Sequence, residues 1–175
     1  MDLQPTLENS VVFIRPLNES DFEELYQVAK DPLIWEQHPN GRERYKKEIF
    51  SAFFKESIES KGALVIIDKE NNNIIGSSRF KNTLTENAIE IGWSFLSREY
   101  WGGIYNKSVK KLMMGYAFEY VENVIYYINK TNIRSQKAVE KIGGKILTDT
   151  QFDHLLNKNK DAYTYIINKH QKNKI

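Results

Sequence analysis

The stretch from Ser94 to Gly144 decides the fold, and it reads SFLSREYWGGIYNKSVKKLMMGYAFEYVENVIYYINKTNIRSQKAVEKIGG. The end of a strand leads through a glycine-containing loop, Trp101 to Asn106, into a long amphipathic helix. Glycines at such a junction aim backbone N–H groups and the positive end of the helix dipole at one point. The loop therefore predicts a binding site for phosphate.

The second half of the stretch adds polar side chains beside this loop. An apolar strand, Val124 to Ile128, is followed by Asn129-Lys130-Thr131-Asn132, and a second helix begins at Ile133. Asn132 suits the N-cap of that helix. The first turn then carries the amide of Asn132 and the hydroxyl of Ser135 at the carboxyl end of a strand.

Composition limits the classes of protein that need to be considered. A chain of 175 residues, 41% of them hydrophobic, can bury one substantial core, so residues 1–175 are expected to form one domain. A formal net charge of +2, with basic and acidic residues mixed, does not call for nucleic acid. Since there is no cysteine, disulfides, thiolate metal sites and cysteine nucleophiles are excluded.

The sequence also predicts where the protein is located in the cell and whether it binds a metal. No signal peptide is recognisable at the N-terminus and no apolar run is long enough to span a membrane, so a soluble, cytoplasmic protein is expected. The three histidines, His38, His154 and His170, are scattered without the spacing of metal ligands. We therefore expect no metal.

The rest of the chain alternates between the periodicities of strands and helices. Asn18 or Ser20 can cap a first helix, and Ser20 with Glu23 would form a capping box. Leu33 to Arg42 resembles a loop that lines a binding site. A second helix is predicted at Arg44–Ser60, with Ile49 on its buried side. The further strands are predicted at Val11–Leu17, Ala63–Asp68, Ile74–Phe80, Ala88–Leu96, Lys145–Phe152 and Asp161–Lys169, with a loop at His154–Lys160 and a frayed tail at 170–175.

Two patterns assign side chains to faces. Strict alternation in Ala88–Leu96 places Ile89, Ile91, Trp93 and Phe95 together on one face, opposite Glu90. Tyr126 and Tyr127 also alternate, so at most one of them is expected to face a given cleft. In the helix after the glycine loop, the helical spacing of the apolar residues leaves Lys107, Lys110 and Lys111 on the side expected to face solvent.

The order of these elements and four local motifs resemble the GNAT N-acetyltransferases. The motifs are Glu90-Ile91-Gly92-Trp93, Trp101-Gly102, Asn132-Ile133-Arg134-Ser135 and Glu140-Lys141-Ile142-Gly143-Gly144. Arg15-Pro16-Leu17 followed by Ser20-Asp21 is similar to the opening of the Rim-type enzymes, which acetylate N-termini of ribosomal proteins. The resemblance covers nearly the whole chain.

The resemblance implies an α/β fold and a co-substrate. The expected fold is a mixed, mostly antiparallel sheet of about seven strands, splayed between the fourth and fifth strands and flanked by about four helices. Acetyl-CoA would lie in the split, with its pantetheine along Phe95, Leu96 and Ser97 and its pyrophosphate on the glycine loop. The residues implied in cofactor binding are these three together with Trp101, Gly102, Gly103, Ile104, Tyr105, Asn106, Asn132 and Ser135.

This chain departs from the family pattern at several positions. The family loop usually begins with Gln or Arg and has glycine or another small residue where this chain has Ile104 and Asn106. Trp101 takes the first position. Many members also carry a tyrosine in the last helix as an acid for the leaving thiolate, whereas this chain has Val139 there.

Three residues are candidates for the chemistry, each with a structural alternative. Glu90 is the candidate general base that deprotonates the attacking amine, or else a strand glutamate that is solvated or paired with a lysine. Ser135 is the candidate hydrogen-bond donor to the leaving thiolate, or a serine that satisfies the helix start. Asn132 contacts the cofactor or serves only as the helix cap.

The acceptor is left open by the sequence. Trp35, Glu36 and His38 are candidate substrate-binding residues at the mouth of the site, although Trp35 could equally pack this loop against the core. Arg79 and Tyr165 are candidates for an acceptor channel. The amine could be a peptide N-terminus, an amino acid, a polyamine or an aminoglycoside, the last two if Glu36, Glu43 and Glu90 built an acidic channel. A homodimer through the last two strands is plausible. The alternatives to an enzyme are a non-catalytic acyl-CoA-binding module and, more weakly, a nucleotide-binding domain.

Overall fold

The computed structural model describes residues 1–85, 87–148, 155 and 160–170. The strands are β1 (Leu7–Glu8), β2 (Val12–Pro16), β3 (Ala63–Asp68), β4 (Ile74–Asn82), β5 (Ala88–Leu96), β6 (Asn123–Asn129), β7 (Lys145–Ile146) and β8 (Ala162–Asn168). The helices are α1 (Phe22–Ala29), α2 (Pro32–Trp35), α3 (Lys47–Glu59), α4 (Ile104–Ala117) and α5 (Ile133–Glu140). In these ranges no helix is both long enough and apolar enough to cross a membrane.

The eight strands form one mixed sheet in the order β1-β2-β3-β4-β5-β6-β8-β7. Neighbours are antiparallel except β5 and β6, which are parallel. Their pairing covers only Ala88–Glu90 with Asn123–Ile125, after which the two strands separate. The predicted splay of a mostly antiparallel sheet is therefore confirmed, and it opens directly after Glu90.

Two layers of helices cover opposite faces of the sheet. Alternate residues of β3 show this, since Val65 packs with α1, α2 and α3 while Leu64 packs with the core under α4 and α5. The core under α1 to α3 is rich in aromatic side chains and includes Trp35, Phe50 and Phe95. Burying large rings of this kind contributes strongly to stability. The split in the sheet thus lies between two well-packed layers.

A β-bulge in β5 overturns the predicted alternation of that strand. Gly92 pairs with Arg79 and Phe95 pairs with Ser77, so two residues, Trp93 and Ser94, face one residue of β4. Trp93 adopts a positive φ of 52°. An extra residue reverses the facing of everything after it. Ile89 and Ile91 consequently lie under α4, whereas Trp93 and Phe95 lie with the aromatic core on the other face.

An ion pair stabilises the N-terminal motif Arg15-Pro16-Leu17 with Ser20-Asp21. Arg15 donates two hydrogen bonds of 2.8 and 2.7 Å to the carboxylate of Asp21, which is buried. The same carboxylate accepts the backbone N–H of Asn18 at 2.8 Å. The cap before α1 is therefore built from Asn18 and Asp21 rather than from Ser20 and Glu23.

Other differences from the sequence predictions are local. Ile49 is 44% exposed, because the buried stripe of α3 runs through Phe50, Phe53 and Phe54. The predicted loop Leu33–Arg42 begins inside the short helix α2, for which Asp31 is the N-cap. Strand β7 ends at Ile146. Residues 149–154 and 156–159, which carry most of the loop predicted at His154–Lys160, and the tail at 171–175 lie outside the described residues.

Gly76 is a position where the sheet has no room for a side chain. A Cβ there would lie 2.1 Å from the carbonyl oxygen of Phe95 and 2.8 Å from Cδ2 of Leu96. Gly76→Ala should therefore lower the free energy of unfolding by about 1 to 3 kcal/mol. Urea denaturation measures the change. Gly92→Ala is the matched control, because its Cβ would meet nothing closer than Glu90 Oε1 at 3.4 Å, and equal losses in both variants would contradict the packing argument.

Candidate active site

The separation of β5 and β6 opens a cleft of about 1360 Å³. One wall is the second half of β5, the other is β6 with the first turns of α5, and the start of α4 closes one end. The segment His38–Arg44 covers the mouth. The predicted site residues that line the cleft are Trp35, His38, Glu90, Phe95, Leu96, Trp101, Gly102, Gly103, Asn106, Asn132 and Ser135.

The glycine loop presents unprotected backbone N–H groups at the start of α4. The N-cap is Gly103, which has no side chain that could accept a hydrogen bond from the first-turn N–H groups. Gly102 has a φ of 74°, a conformation that favours glycine. A Cβ at either glycine would meet nothing within 4 Å. First-turn N–H groups without a cap, facing open space at the positive end of a 14-residue helix, suit an anion.

Two residues of the predicted loop point away from the cleft. Ile104 is 61% exposed and Tyr105 donates a hydrogen bond of 3.3 Å to Asp68 on β3, so neither side chain lines the cleft. Ser97 is also outside it, since its N–H donates to the carbonyl of Ile75. The bulky Ile104 therefore leaves the space over the loop free.

Trp101 ties the loop to both walls of the cleft. Its indole Nε1 donates to the carbonyl oxygen of Leu96 at 2.9 Å, and the guanidinium of Arg134 lies 3.9 Å above its ring. Arg134 also donates to Glu36 at 2.8 Å, and its backbone N–H donates to Gln37 Oε1 at 3.0 Å. Glu36 thus positions Arg134 and does not line the cleft.

Glu90 is the buried carboxylate of the site. It is 8% exposed and lies on the last paired position before the strands separate. Burial raises the pKa of its carboxyl to about 7, although the positive charges of Lys81 and Arg79 oppose the rise. Within the described residues it makes no hydrogen bond or ion pair. A carboxyl with a pKa near neutrality is suited to taking a proton at physiological pH.

The raised pKa of Glu90 has a consequence for stability. A group whose pKa is about 7 when folded and 4.5 ordinarily stabilises the protein below pH 4.5, and this contribution is lost as pH rises through 7. Glu90→Gln should therefore raise the free energy of unfolding by roughly 3 kcal/mol at pH 8 and change it little near pH 4.5. Urea denaturation of both proteins at the two pH values tests this, and a pH-independent difference would rule it out.

Asn132 and Ser135 sit together on the first turn of α5. Oδ1 of Asn132 accepts the backbone N–H of Ser135 at 3.1 Å, so the residue is the predicted N-cap. The hydroxyl of Ser135 makes no hydrogen bond within the described part of the chain, and it faces the cleft. Val139, one turn further on, is buried and lines the same wall. Ser135 thus offers this wall a hydroxyl with a donor to spare.

The predicted substrate residues divide into two groups. Trp35 and His38 both border the cleft, but Trp35 is 1% exposed and its indole donates to the carbonyl of Ala29, so it packs in the aromatic core. Burial and nearby Arg44 lower the pKa of His38 to about 4, so its ring is neutral at pH 7. Arg79 is held under α3 by Glu56 and Ser57 at 2.9 and 2.6 Å. Tyr165 donates to Glu140 at 2.9 Å. The prediction that Arg79 and Tyr165 enter an acceptor channel is therefore not supported by their contacts.

The sequence analysis misplaced Lys110 and the pair of tyrosines on β6. Lys110, assigned to solvent, is only 7% exposed and lines the cleft with Tyr126. Its place three residues before Met113 and seven before Ala117 puts it on the buried stripe, which is the signal that could have identified it. Tyr126 and Tyr127 both line the cleft, because a split between strands is open to both faces of the sheet.

The cleft is strongly basic. Among its described lining residues Glu90 is the sole carboxylate, and the Lys and Arg side chains are Arg44, Lys81, Lys107, Lys110, Arg134, Lys137 and Lys141. The acidic channel considered from the sequence does not form, because Glu36 pairs with Arg134 and Glu43 pairs with Lys46. Such a surface favours anionic ligands.

Comparison with known proteins agrees with this geometry. The family model of the acetyltransferase (GNAT) domain matches residues 12–145. The chain belongs to this family. The match contains the glycine loop, Glu90, Asn132 and Ser135, so the resemblance expected from the motifs is confirmed.

Solved GNAT structures share the fold at low sequence identity. A probable acetyltransferase from Chromobacterium violaceum is 16% identical, with a TM-score of 0.79 and coverage of 98% of this chain and 89% of that one. The GNAT-family acetyltransferase from Bacillus anthracis is 19% identical, with a TM-score of 0.75 and coverage of 95% and 99%. RimJ of Mycobacterium smegmatis, solved with CoA-disulfide, is 12% identical, with a TM-score of 0.68 and coverage of 96% and 88%.

Proposed function

We propose that this GNAT protein is an N-acetyltransferase that moves the acetyl group of acetyl-CoA directly to a primary amine. The observation that carries the proposal is the buried, unpaired Glu90 at the point where β5 and β6 separate. It shares one cleft with an uncapped glycine loop and with the free hydroxyl of Ser135. These are the groups that acyl transfer to an amine requires.

The residues present fit CoA. The N–H groups at Gly103 and Asn106 would hold the pyrophosphate, since open space lies over Gly102 and Gly103 and Ile104 is turned outward. Lys107 lines the same end of the cleft and would pair with phosphate. Beyond Glu90 no strand in the described part of the chain pairs with this edge of β5, so an extended pantetheine arm could bind along it, although the carbonyl of Leu96 already accepts from Trp101. That a related structure, RimJ, holds CoA-disulfide supports this assignment.

Acyl-CoA supplies an activated thioester carbon, at which a nitrogen–carbon bond forms and the carbon–sulfur bond breaks to release CoA. Glu90 takes the proton that the ammonium of the acceptor must lose before it can attack. Its raised pKa keeps it basic enough to accept this proton near pH 7. Ser135 donates a hydrogen bond where negative charge develops on sulfur, and Asn132 holds the helix turn that carries Ser135.

The charge of the cleft narrows the choice of acceptor. Several lysine and arginine side chains line it beside one carboxylate, so a polyamine or an aminoglycoside, with several positive charges, would be repelled. We propose as acceptor a peptide N-terminus or a small amine with one positive charge. Arg44 and Arg134 at the mouth would favour acceptors that carry a carboxylate.

Calorimetric titration with acetyl-CoA, followed by a thiol-release assay, tests the function. We expect micromolar binding and CoA release with peptides or amino acids, and little release with spermidine or kanamycin. Binding without release for any amine in a broad panel would favour the non-catalytic module. Absence of binding would overturn the proposal.

A further inference from the structure

Lys110 is a buried cation without an anionic partner. It lies on α4 with 7% exposure, and no carboxylate or hydrogen-bond acceptor reaches it within the described residues. Its described contact is with the face of Tyr126, whose ring centroid lies 4.7 Å from Nζ. A desolvated ammonium is costly to a fold, and a ring face offsets only part of that cost. Buried, unpaired ionisable groups in a cleft cluster at functional sites, which makes Lys110 a candidate for binding a ligand.

Tyr126 brings a second unsatisfied polar group to the same place. It is 3% exposed, and its hydroxyl has no hydrogen-bond partner among the residues that the structure describes. Buried tyrosine hydroxyls are usually hydrogen-bonded. Lys110 and Tyr126 both line the cleft, and Nζ of Lys110 lies over the ring of Tyr126, so the two residues meet at one place on its wall.

The position of this pair relates it to the acyl group. Tyr126 follows Ile125, the residue that pairs with Glu90 at the closed end of the split. Because side chains alternate along β6, Tyr126 points to the α4 face while Glu90 lies on the other face. A thioester between the strands would therefore have Glu90 on one side and Lys110 with Tyr126 on the other.

We propose that Lys110 and Tyr126 form an acyl-binding site for a terminal carboxylate, so that the enzyme accepts dicarboxylic acyl-CoA such as succinyl-CoA and binds it more tightly than acetyl-CoA. This rests on the proposed function of the same cleft. The carboxylate gains an ion pair from Lys110 and a hydrogen bond from Tyr126. Since both groups are already desolvated in the free protein, binding costs them little further hydration. An acetyl group has no carboxylate to bind there.

The reaction remains the same with this donor. The nitrogen of the amine bonds to the thioester carbon, the carbon–sulfur bond breaks, and CoA leaves as a thiol after taking up a proton. The distal carboxylate is unchanged and ends on the product, which gains a negative charge. Burial lowers the pKa of Lys110 to about 8, so its side chain is largely charged at pH 7 and can pair with the carboxylate.

Calorimetry with succinyl-, butyryl- and acetyl-CoA tests the site without knowledge of the acceptor. Butyryl-CoA is the neutral donor of equal chain length. We expect succinyl-CoA to bind about tenfold more tightly than butyryl-CoA to the wild-type protein. Equal affinities would overturn the inference while leaving the proposed function intact. Failure of all three to bind would overturn both.

Variants assign the preference to the two residues. Lys110→Met should remove the preference for succinyl-CoA while keeping acetyl-CoA affinity, and Tyr126→Phe should reduce the preference about threefold. Lys111→Met, at the exposed neighbouring position, is the control and should leave the preference unchanged. If Lys110→Met weakened succinyl- and acetyl-CoA equally, Lys110 would contact the part common to both, and the inference would be wrong.

Discussion

Glu90→Gln should lower kcat by roughly 10²- to 10⁴-fold, which is the usual contribution of a positioned general base. Glutamine has nearly the same shape, so binding of acetyl-CoA should change little. Glu90 is buried where β5 and β6 separate. Among the described residues that line the cleft, it carries the single carboxylate. Thiol release with an accepted amine measures kcat.

The pH profile distinguishes a base from a residue that only packs. For the wild-type enzyme, kcat/KM should rise with pH up to about 7 and level off above it, because Glu90 must be deprotonated to act. In Glu90→Gln this limb should be absent. If the variant lost activity but kept the wild-type profile, Glu90 would not be the base, and another group with a pKa near 7 would have to be sought.

Gly103→Asp should weaken acetyl-CoA binding by about 100-fold or more. The backbone of Gly103 forms the N-cap of α4, and its Cβ would project into open space, so an aspartate fits without a clash. Aspartate is also a favourable N-cap, and the fold should remain stable. The carboxylate would occupy the first-turn N–H groups and repel the pyrophosphate, and like charges in such a site cost several kcal/mol. Calorimetry gives the dissociation constant.

Gly103→Asn is the matched control for charge. It also caps the helix and has nearly the same size, so the difference between the two variants isolates the repulsion of an anion. We expect the asparagine variant to lose markedly less affinity than the aspartate variant. Equal affinities for the two would mean that the pyrophosphate does not lie at this helix start.

The position of Glu90 on its strand and that of the glycine loop before a helix could be predicted from the sequence because each depends on neighbouring residues, whereas their roles in the site remain predictions. Glycines between a predicted strand and a predicted helix indicate the loop. Glu90 lies within the predicted strand that precedes this loop. The cap at Asn132 was also predictable, since capping involves residues only three apart. The role of Ser135 remains a prediction.

Other features of the site could not be predicted, because they depend on contacts between segments that are distant in the sequence. Arg134 lies on α5, yet its partners Trp101 and Glu36 come from two other parts of the chain, so no local pattern reveals the arrangement. Likewise, Arg79 looked like a channel residue until Glu56 and Ser57 on α3 were seen to hold it. Alternation indicates a face of the sheet but not what covers that face.

The sequence by itself determined the order of the longer strands and helices, the family and the glycine loop before α4, because periodicity, caps and glycines act over a few residues. Only the tertiary structure decided three features of the site. The bulge at Trp93 depends on the register against β4, the burial of Lys110 depends on how α4 lies on the sheet, and the basic lining depends on segments that meet only when folded. The bulge and the basic lining are set by contacts between residues far apart in the chain, where local pattern carries no information. For Lys110 the helical stripe gives a local signal, but only the packing of α4 on the sheet decides that the lysine is covered.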